Sequence, residues 1–423
     1  MSIWQNKVFK RLFAAYALST LGDYFDSIAM SILLVYRWHT GAMSLSLILL
    51  AYAVPGILFG QLGGVLADRW NKVRLMFGSD LLRGGLTVAM FFTPSLTGLL
   101  CLIALRSVVG VFNAPAQAAL TRHVVADEHL LKASTYNGLV LQLSKVLGPL
   151  AGASLASAFS PQWCLLINAL TFIGSAFILL TVRRVSDLEK GEVEQAESVR
   201  TTRNWIVSWQ EGWQILYRNR PLLCGLILSL TAGFTFLLVD FQGAIKFREV
   251  APDDPKLVGL YLSFVGAGSV AIIVFLNRLK DINRYGLMLG SGYLLLAVGF
   301  GNMGLIGPGF SLPLLLATGF IGGIGNGLIS IGFSYLLQKE TPKAAIGRVM
   351  GILNSLSSLA TIISPLCGGA LIERFGPSLI FQGVGVGLLL VGVLALLAQK
   401  WVFARQSTRP ASLSAPPRKA LKP

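Results

Sequence analysis

The sequence predicts an all-α membrane protein, with twelve transmembrane helices in two six-helix bundles related by pseudo-symmetry. Three observations predict it: a shortage of charge, twelve apolar runs of spanning length, and a lopsided distribution of basic residues. Of the 423 residues, 13% are charged and 54% hydrophobic. Soluble domains carry about 25% charged residues, and a compact soluble fold this apolar would expose large sticky patches. The mean hydropathy of +0.68 agrees. These figures exclude a soluble enzyme, a disordered chain and a disulfide scaffold. The four cysteines lie in apolar runs, with no CxxC and no Cys/His cluster. Three histidines are too few for a His-based metal site, so no metal and no cofactor is expected.

A helix needs about 20 mainly apolar residues to cross a hydrocarbon core of roughly 30 Å. Twelve such spans are expected near 11–36, 43–67, 75–93, 96–119, 135–158, 161–182, 219–245, 257–277, 284–306, 309–338, 345–370 and 376–398. Basic residues test the threading. With the N-terminus inside, the inner segments hold 27 Lys and Arg and the outer segments five: Arg37, Lys246, Arg248, Lys256 and Arg374. The positive-inside rule asks for that bias. It places both termini on the cytoplasmic side of the inner (cytoplasmic) membrane. The first apolar run is too long for a cleaved signal and lacks a small-residue cleavage pattern. The formal charge of +16 reads as orientation and contact with anionic lipid, not nucleic acid.

Four segments follow: a first bundle (1–182), a cytoplasmic linker (183–217), a second bundle (218–400) and a disordered tail (401–423). The linker holds a run of acids and then Trp205, Trp209 and Trp213 at helical spacing. That pattern predicts an amphipathic helix with its indoles at the headgroups. The halves echo each other: Leu147-Gly148-Pro149-Leu150-Ala151-Gly152 recurs as Ile363-Ser364-Pro365-Leu366-Cys367-Gly368. Internal duplication of spans is the basis of alternating-access transport. No Walker sequence occurs, and the Gly-rich run 319–325 lies inside a span, so ATP is not the direct energy source. No Ser/His/Asp, HExxH or metal-ligand spacing argues for an enzyme.

The stretch Gly64-Val65-Leu66-Ala67-Asp68-Arg69-Trp70-Asn71-Lys72-Val73-Arg74 resembles the signature loop between spans 2 and 3 of the major facilitator superfamily. Gly22-Asp23 in span 1, Asp80 and Arg83 in span 3, Arg106 with Gly110 and Pro115 in span 4, and Gly148-Pro149 in span 5 follow the order of its drug-exporter branch. Gly347-Arg348-Val349-Met350-Gly351 opens span 11. Over about residues 5–400 the chain resembles macrolide-efflux and enterobactin-exporter proteins. The loop after span 8 departs from the pattern, lacking the leading Gly and first Asp. The resemblance implies that Gly64, Asp68, Arg69 and Lys72 close the inner face. It implies a proton-transfer role for Arg106 and a bending role for the span-5 motif.

A charge at mid-bilayer costs at least about 2.5–3.5 kcal/mol and marks function by default. Asp23 and Asp26 lie about 18–22 Å into span 1 at 1.5 Å per residue, and their i,i+3 spacing puts them on one face. Two carboxylates so close in low dielectric do not easily both ionise. Either one suits proton coupling, with Arg106 at matching depth as its partner. The plainer reading is a permanent ion pair. Asp80, Arg83 and Arg348 are expected to complete an inner latch with the signature loop. Lys145 in span 5 either faces the cavity, where it attracts an anionic substrate, or pairs with a span-1 acid. Asp240 reads best as part of a charged outer loop with Lys246 and Arg248; an outer gate or a substrate contact is the other possibility. Asn113, Gln142, Asn326 and Asn354 are cavity-lining candidates, with Phe234, Phe236 and Phe241 available for stacking. Pro149 with Gly148, and Pro365, are expected to interrupt their spans, since proline removes a helix hydrogen bond.

The expected function is proton-coupled export of small amphipathic molecules, of drug or siderophore class, by a monomer whose partners are substrate, protons and membrane lipid. A lysophospholipid flippase and a non-transporting membrane sensor are the alternatives.

Overall fold

Helices account for the folded chain, and local sequence explains where they start. The structure, a computed structural model, describes residues 3–182, 205–276, 278, 285–342 and 345–399. The expected tail, most of the linker and most of the loop after span 8 lie outside the described residues.

The first half contains α1 (Lys7–Ile32), α2 (Ala42–Arg69), α3 (Lys72–Phe91), α4 (Leu96–Gly110), α5 (Asn113–Val124), α6 (Asp127–Ala158) and α7 (Pro161–Leu180). The second half contains α8 (Trp205–Arg218), α9 (Arg220–Val239), α10 (Gly243–Val250), α11 (Lys256–Leu276), α12 (Tyr285–Leu305), α13 (Leu312–Glu340), α14 (Ile346–Phe375) and α15 (Pro377–Ala398). Polar side chains cap the starts, where backbone N–H groups lack helical partners. The Asn6 side chain accepts from the N–H groups of Val8 and Phe9 at 3.0 Å. Asn71, Ser95, Ser160 and Asn219 do the same for α3, α4, α7 and α9. Gly376, at φ 79°, makes the turn from α14 into α15, a left-handed conformation that glycine adopts freely.

Eleven helical segments among the described residues are long and apolar enough to cross a membrane. The expected third span, α3, is a 20-residue helix that falls short in apolarity. Lys72, Arg74, Asp80 and Arg83 all lie within it. Span 4 is broken between α4 and α5. Pro115 provides no N–H for the Val111 carbonyl, where the helix pauses. Span 7 ends at Val239, and a turn over 240–242 leads into α10. The expected interruptions at Pro149 and Pro365 are absent. Both α6 and α14 continue through their prolines, because tolerated prolines cost a helix only one internal bond when neighbouring helices hold the backbone.

The two halves pack alike. In the first, α1 packs on α6, α3 on α4 and α7, and α2 on α4. In the second, α9 packs on α14, α12 on α13 and α15, and α11 on α13. Across the molecule α6 meets α11 and α2 meets α14, pairs that exchange under the same two-fold relation. We call the end holding the N-terminus the near end; there Asn6 donates to the Val124 carbonyl at 2.8 Å and Arg11 to that of Thr181 at 2.7 Å.

The described contacts between halves fall at the far end and at mid-depth. Ser46 on α2 donates to the Pro365 carbonyl of α14 at 2.5 Å, and Ser263 on α11 to the Val146 carbonyl of α6 at 3.2 Å. The Gln242 amide bridges to the Ala42 carbonyl and Ser46, and Arg248 donates to the Val35 carbonyl. A side chain at Gly259 would run into the Pro149 carbonyl and Ala153, so this seam closes backbone to backbone, as small residues allow between membrane helices. The far end is shut.

Candidate functional site

The buried charges gather inside the first bundle, where α1, α3, α4 and α7 converge. Asp23 faces α3 and receives two bonds from Arg83 Nη2, at 2.7 and 2.8 Å. Arg83 Nη1 lies 3.6 Å from Asp80, one helical turn away on α3. Asp80 also accepts from Asn113 and Ser175, each at 2.6 Å. Asp26 faces α4 and pairs with Arg106 Nη1 at 2.6 Å. Arg106 donates further to the Tyr52 hydroxyl at 2.8 Å and to Thr87 at 3.1 Å. Thr87 in turn donates to the Arg83 carbonyl at 2.8 Å, so the two ion pairs belong to one hydrogen-bonded network.

Phe172 of α7 lies under both cations. Its ring centroid is 4.1 Å from the Arg83 guanidinium carbon and 5.9 Å from that of Arg106. A guanidinium over an aromatic face gains electrostatically, most where water is excluded. Three carboxylates thus stand against two guanidiniums, which leaves one negative charge in excess if every acid is ionised. Exposure separates the acids. The Asp26 side chain is 0% exposed and that of Asp80 2%, whereas Asp23 is 39% exposed.

The partner of Arg106, left open between two acids by the sequence, is therefore Asp26. The residues expected to complete an inner latch do not all sit together in this form. Asp80 and Arg83 belong to the network inside the first bundle, while Arg348 pairs with Glu211 of α8 at 2.7 Å. Gly212 abuts Arg348 and Ile352, which seats α8 on the start of α14. The side chains of Gly64, Asp68, Arg69 and Gln142 lie outside the described residues, and Lys72 opens α3. Asn113 is turned to Asp80, although a cavity role was expected. Asn326 is half-buried on α13, between Gly323, which meets α11, and Gly325, which meets α12. Asn354 is exposed on α14. Gly148 brings α6 against Tyr24 and Phe25 of α1, so it provides close approach at this position.

Lys145 is exposed and makes no hydrogen bond or ion pair among the described residues. On α6 it points between Gly148, which faces α1, and Pro149, which faces α11. Its ammonium therefore looks into the gap between the bundles, just on the near side of the closed seam. Pro149 leaves the Lys145 carbonyl without its helical donor, adding a backbone acceptor beside the cation.

Asp240 is not part of a charged outer loop. Lys246 reaches Ser378 and Glu249, and Arg248 reaches Val35. Asp240 instead borders a narrow cavity with Phe241, Tyr261 and Phe300, and a second one with Phe236. Phe234 lends its carbonyl to Ser364.

Sequence reasoning missed Tyr52, Thr87, Ser175 and Phe172. The first three are hydroxyl-bearing residues inside spans, and a search for hydrogen-bond partners at the depth of the charges would have raised them. Phe172 sits in an apolar run and carries no such signal.

An ionic network enclosed in one of two helical bundles, with the other end of the gap sealed, defines a polytopic membrane transporter. The comparisons with known proteins agree. The sequence matches the family model of the Major Facilitator Superfamily over residues 12–301 and 253–422. It is 30% identical to the uncharacterized MFS-type transporter YfiS of Bacillus subtilis over 93% of this chain and 94% of that protein. It is 25% identical to macrolide efflux protein A of Streptococcus pyogenes over 88% of this chain and 91% of that protein. A putative bacilysin exporter of Bacillus amyloliquefaciens is 24% identical over 86% of this chain and 88% of its own length. In fold, the chain is similar to the nucleoside transporter NupG, with a TM-score of 0.70 at 13% identity over 94% of this chain and 99% of that one. The chain belongs to the major facilitator superfamily.

Proposed function

We propose that the protein is a proton-coupled exporter of small amphipathic molecules. It would lie in the cytoplasmic membrane with both termini, and hence the near end, facing the cytoplasm. The observation that carries this reading is the charge count of the network: three carboxylates on two guanidiniums, with Asp23 alone exposed. The excess negative charge is relieved most simply by one proton, and Asp23, the exposed acid, is the route by which it reaches the network. Protonated Asp23 releases one of the two acids held by Arg83, and the guanidinium then turns fully to Asp80. The α1–α3 contact loosens in one protonation state and tightens in the other, which biases a two-state equilibrium. Asp26 and Arg106 are sealed and matched one to one, and so serve as the fixed part of the network. The efflux relatives support the export direction. The closed far end supports a resting form open toward the cytoplasm.

A second reading concerns substrate. Lys145, free among the described residues and aimed into the gap, favours a molecule that carries a carboxylate or another anionic group on an apolar body.

The test uses purified protein in vesicles with an imposed pH gradient, a fluorescent lipophilic cation and a macrolide as trial substrates, and a pH-sensitive dye inside. Asp23→Asn is expected to abolish gradient-driven uptake while leaving the protein folded and monodisperse. Gradient-driven uptake at the wild-type rate in Asp23→Asn would remove Asp23 as the coupling acid.

A further inference from the structure

We propose that Asp240 is a second proton-binding site, in the second bundle, whose occupancy is tied to closure of the far seam. The site is independent of the Asp23 network. Asp240 occupies the turn between α9 and α10, and its cavity is walled by aromatic rings. Phe300 and Phe381 lie 6.3 Å apart by centroid, and Phe247 and Tyr261 5.4 Å. The free space is about 30 Å³, room for a water or two. Among the described residues the carboxylate makes no hydrogen bond and no ion pair.

The neighbours offer no compensating cation. From α1 the cavity receives Ile28 and Ser31, and the Ser31 hydroxyl already donates to the Ser27 carbonyl. From α11 it receives Tyr261, whose hydroxyl reaches the Gly299 carbonyl at 3.5 Å. From α12 and α15 come Phe300, Met303 and Phe381. On α10, Lys246 turns away to Ser378 and Glu249, and Arg248 to Val35. A half-buried carboxylate set among apolar walls without a partner favours the neutral acid, since an ionised one loses part of its hydration with nothing in return.

Ile28 and Ser31 belong to the first bundle and the remaining walls to the second. The cavity therefore exists only while the two bundles meet at the far end. When they part, water enters and the ionised form becomes acceptable. Closed and open states thus differ in proton affinity at this one residue, and by linkage a proton on Asp240 favours closure. The direction suits the export cycle proposed above. An exporter that has released its cargo outside must take up a proton there before it can close, and Asp240 would be the acid that senses this. Only that placement in the cycle rests on the coupled-export reading; the linkage itself does not.

The test needs no substrate. Spin labels at Pro94→Cys and Pro308→Cys, exposed on far-end loops of the two halves, report the far-end separation in a background without the native cysteines. In lipid nanodiscs, lowering the pH from 8 to 5 is expected to shift the wild-type distribution toward the shorter distance. Asp240→Asn, neutral throughout, is expected to hold the short distance at every pH. Asp240→Glu is expected to recover a pH response, and the comparison of Asp240→Asn with Asp240 is repeated in an Asp23→Asn background so that only this site differs. A wild-type distribution indifferent to pH, or a response undiminished in Asp240→Asn, would overturn the proposal. Either result leaves the vesicle measurement on Asp23 standing, so the two ideas fail separately.

Discussion

Phe172 shows why single side chains in this network do not act alone. One ring touches both guanidiniums, and Thr87 ties the backbone of one arginine to the side chain of the other. Removing the ring takes one contact from both cations at once. Phe172→Leu keeps apolar volume but loses the quadrupole, a loss of about 1–2 kcal/mol where water is excluded. It is expected to lower the thermal midpoint of the detergent-solubilised protein and to weaken coupling in the vesicle assay together. A variant with full coupling would show that the ring only fills space. The acids rank by enclosure. Breaking a sealed pair strands a charge, at a cost of about 3–5 kcal/mol, so Asp26→Asn is expected to lose folded protein where Asp23→Asn loses coupling. At this scale the sequence was informative about which residues carry charge and silent about how they pair. Asp23 and Asp26 are three residues apart and look alike in the chain. Their different partners follow from Arg83 on α3 and Arg106 on α4 reaching α1 about one turn apart, which residue spacing does not encode.

Among the helices, α6 and α11 carry the seam. Val146 and Pro149 of α6 face Ser263 and Gly259 of α11, and no side chain separates the backbones at Gly259. Gly259→Val inserts a wedge where the Pro149 carbonyl stands. It is expected to lengthen the Pro94–Pro308 distance at all pH values, because overpacking a tight interface forces it apart. A distance distribution equal to that of the wild type would mean that the seam yields locally. The broken elements were hidden from the sequence for one reason. Continuous apolarity predicts that a run will cross, but α4 and α5, or α9 and α10, cross with a pause where a proline or a polar bridge takes over the backbone bonds. Gln242 is such a bridge, reaching Ala42 and Ser46 on the opposite half.

For the whole molecule, the repeat was legible and the asymmetry within it was not. The motif shared by 147–152 and 363–368 foretold two equivalent halves, and the helix pairings bear this out. The chemistry is one-sided. Phe25 packs on Gly152 as Leu238 packs on Gly368, and that correspondence puts Phe236 where Asp23 would stand and Val239 where Asp26 would stand. The ionic network has no twin in the second half among the described residues. The orientation expected from basic residues is tested with a membrane-impermeant maleimide on intact cells. Single cysteines at Pro308 and Pro342, exposed at opposite ends, are expected to react and to stay silent, respectively. Labelling of Pro342→Cys alone would invert the molecule.

The short helix α10 adds a layer to that architecture. It lies beyond the serine-bridged seam, fastened by Arg248 to the first half and by Lys246 to α15. The far end is therefore held at two places, the serine-bridged seam and this helix. Severing either one alone leaves the permeation path blocked, so a membrane holding the single variant stays tight to ions while the transporter itself runs slower or faster.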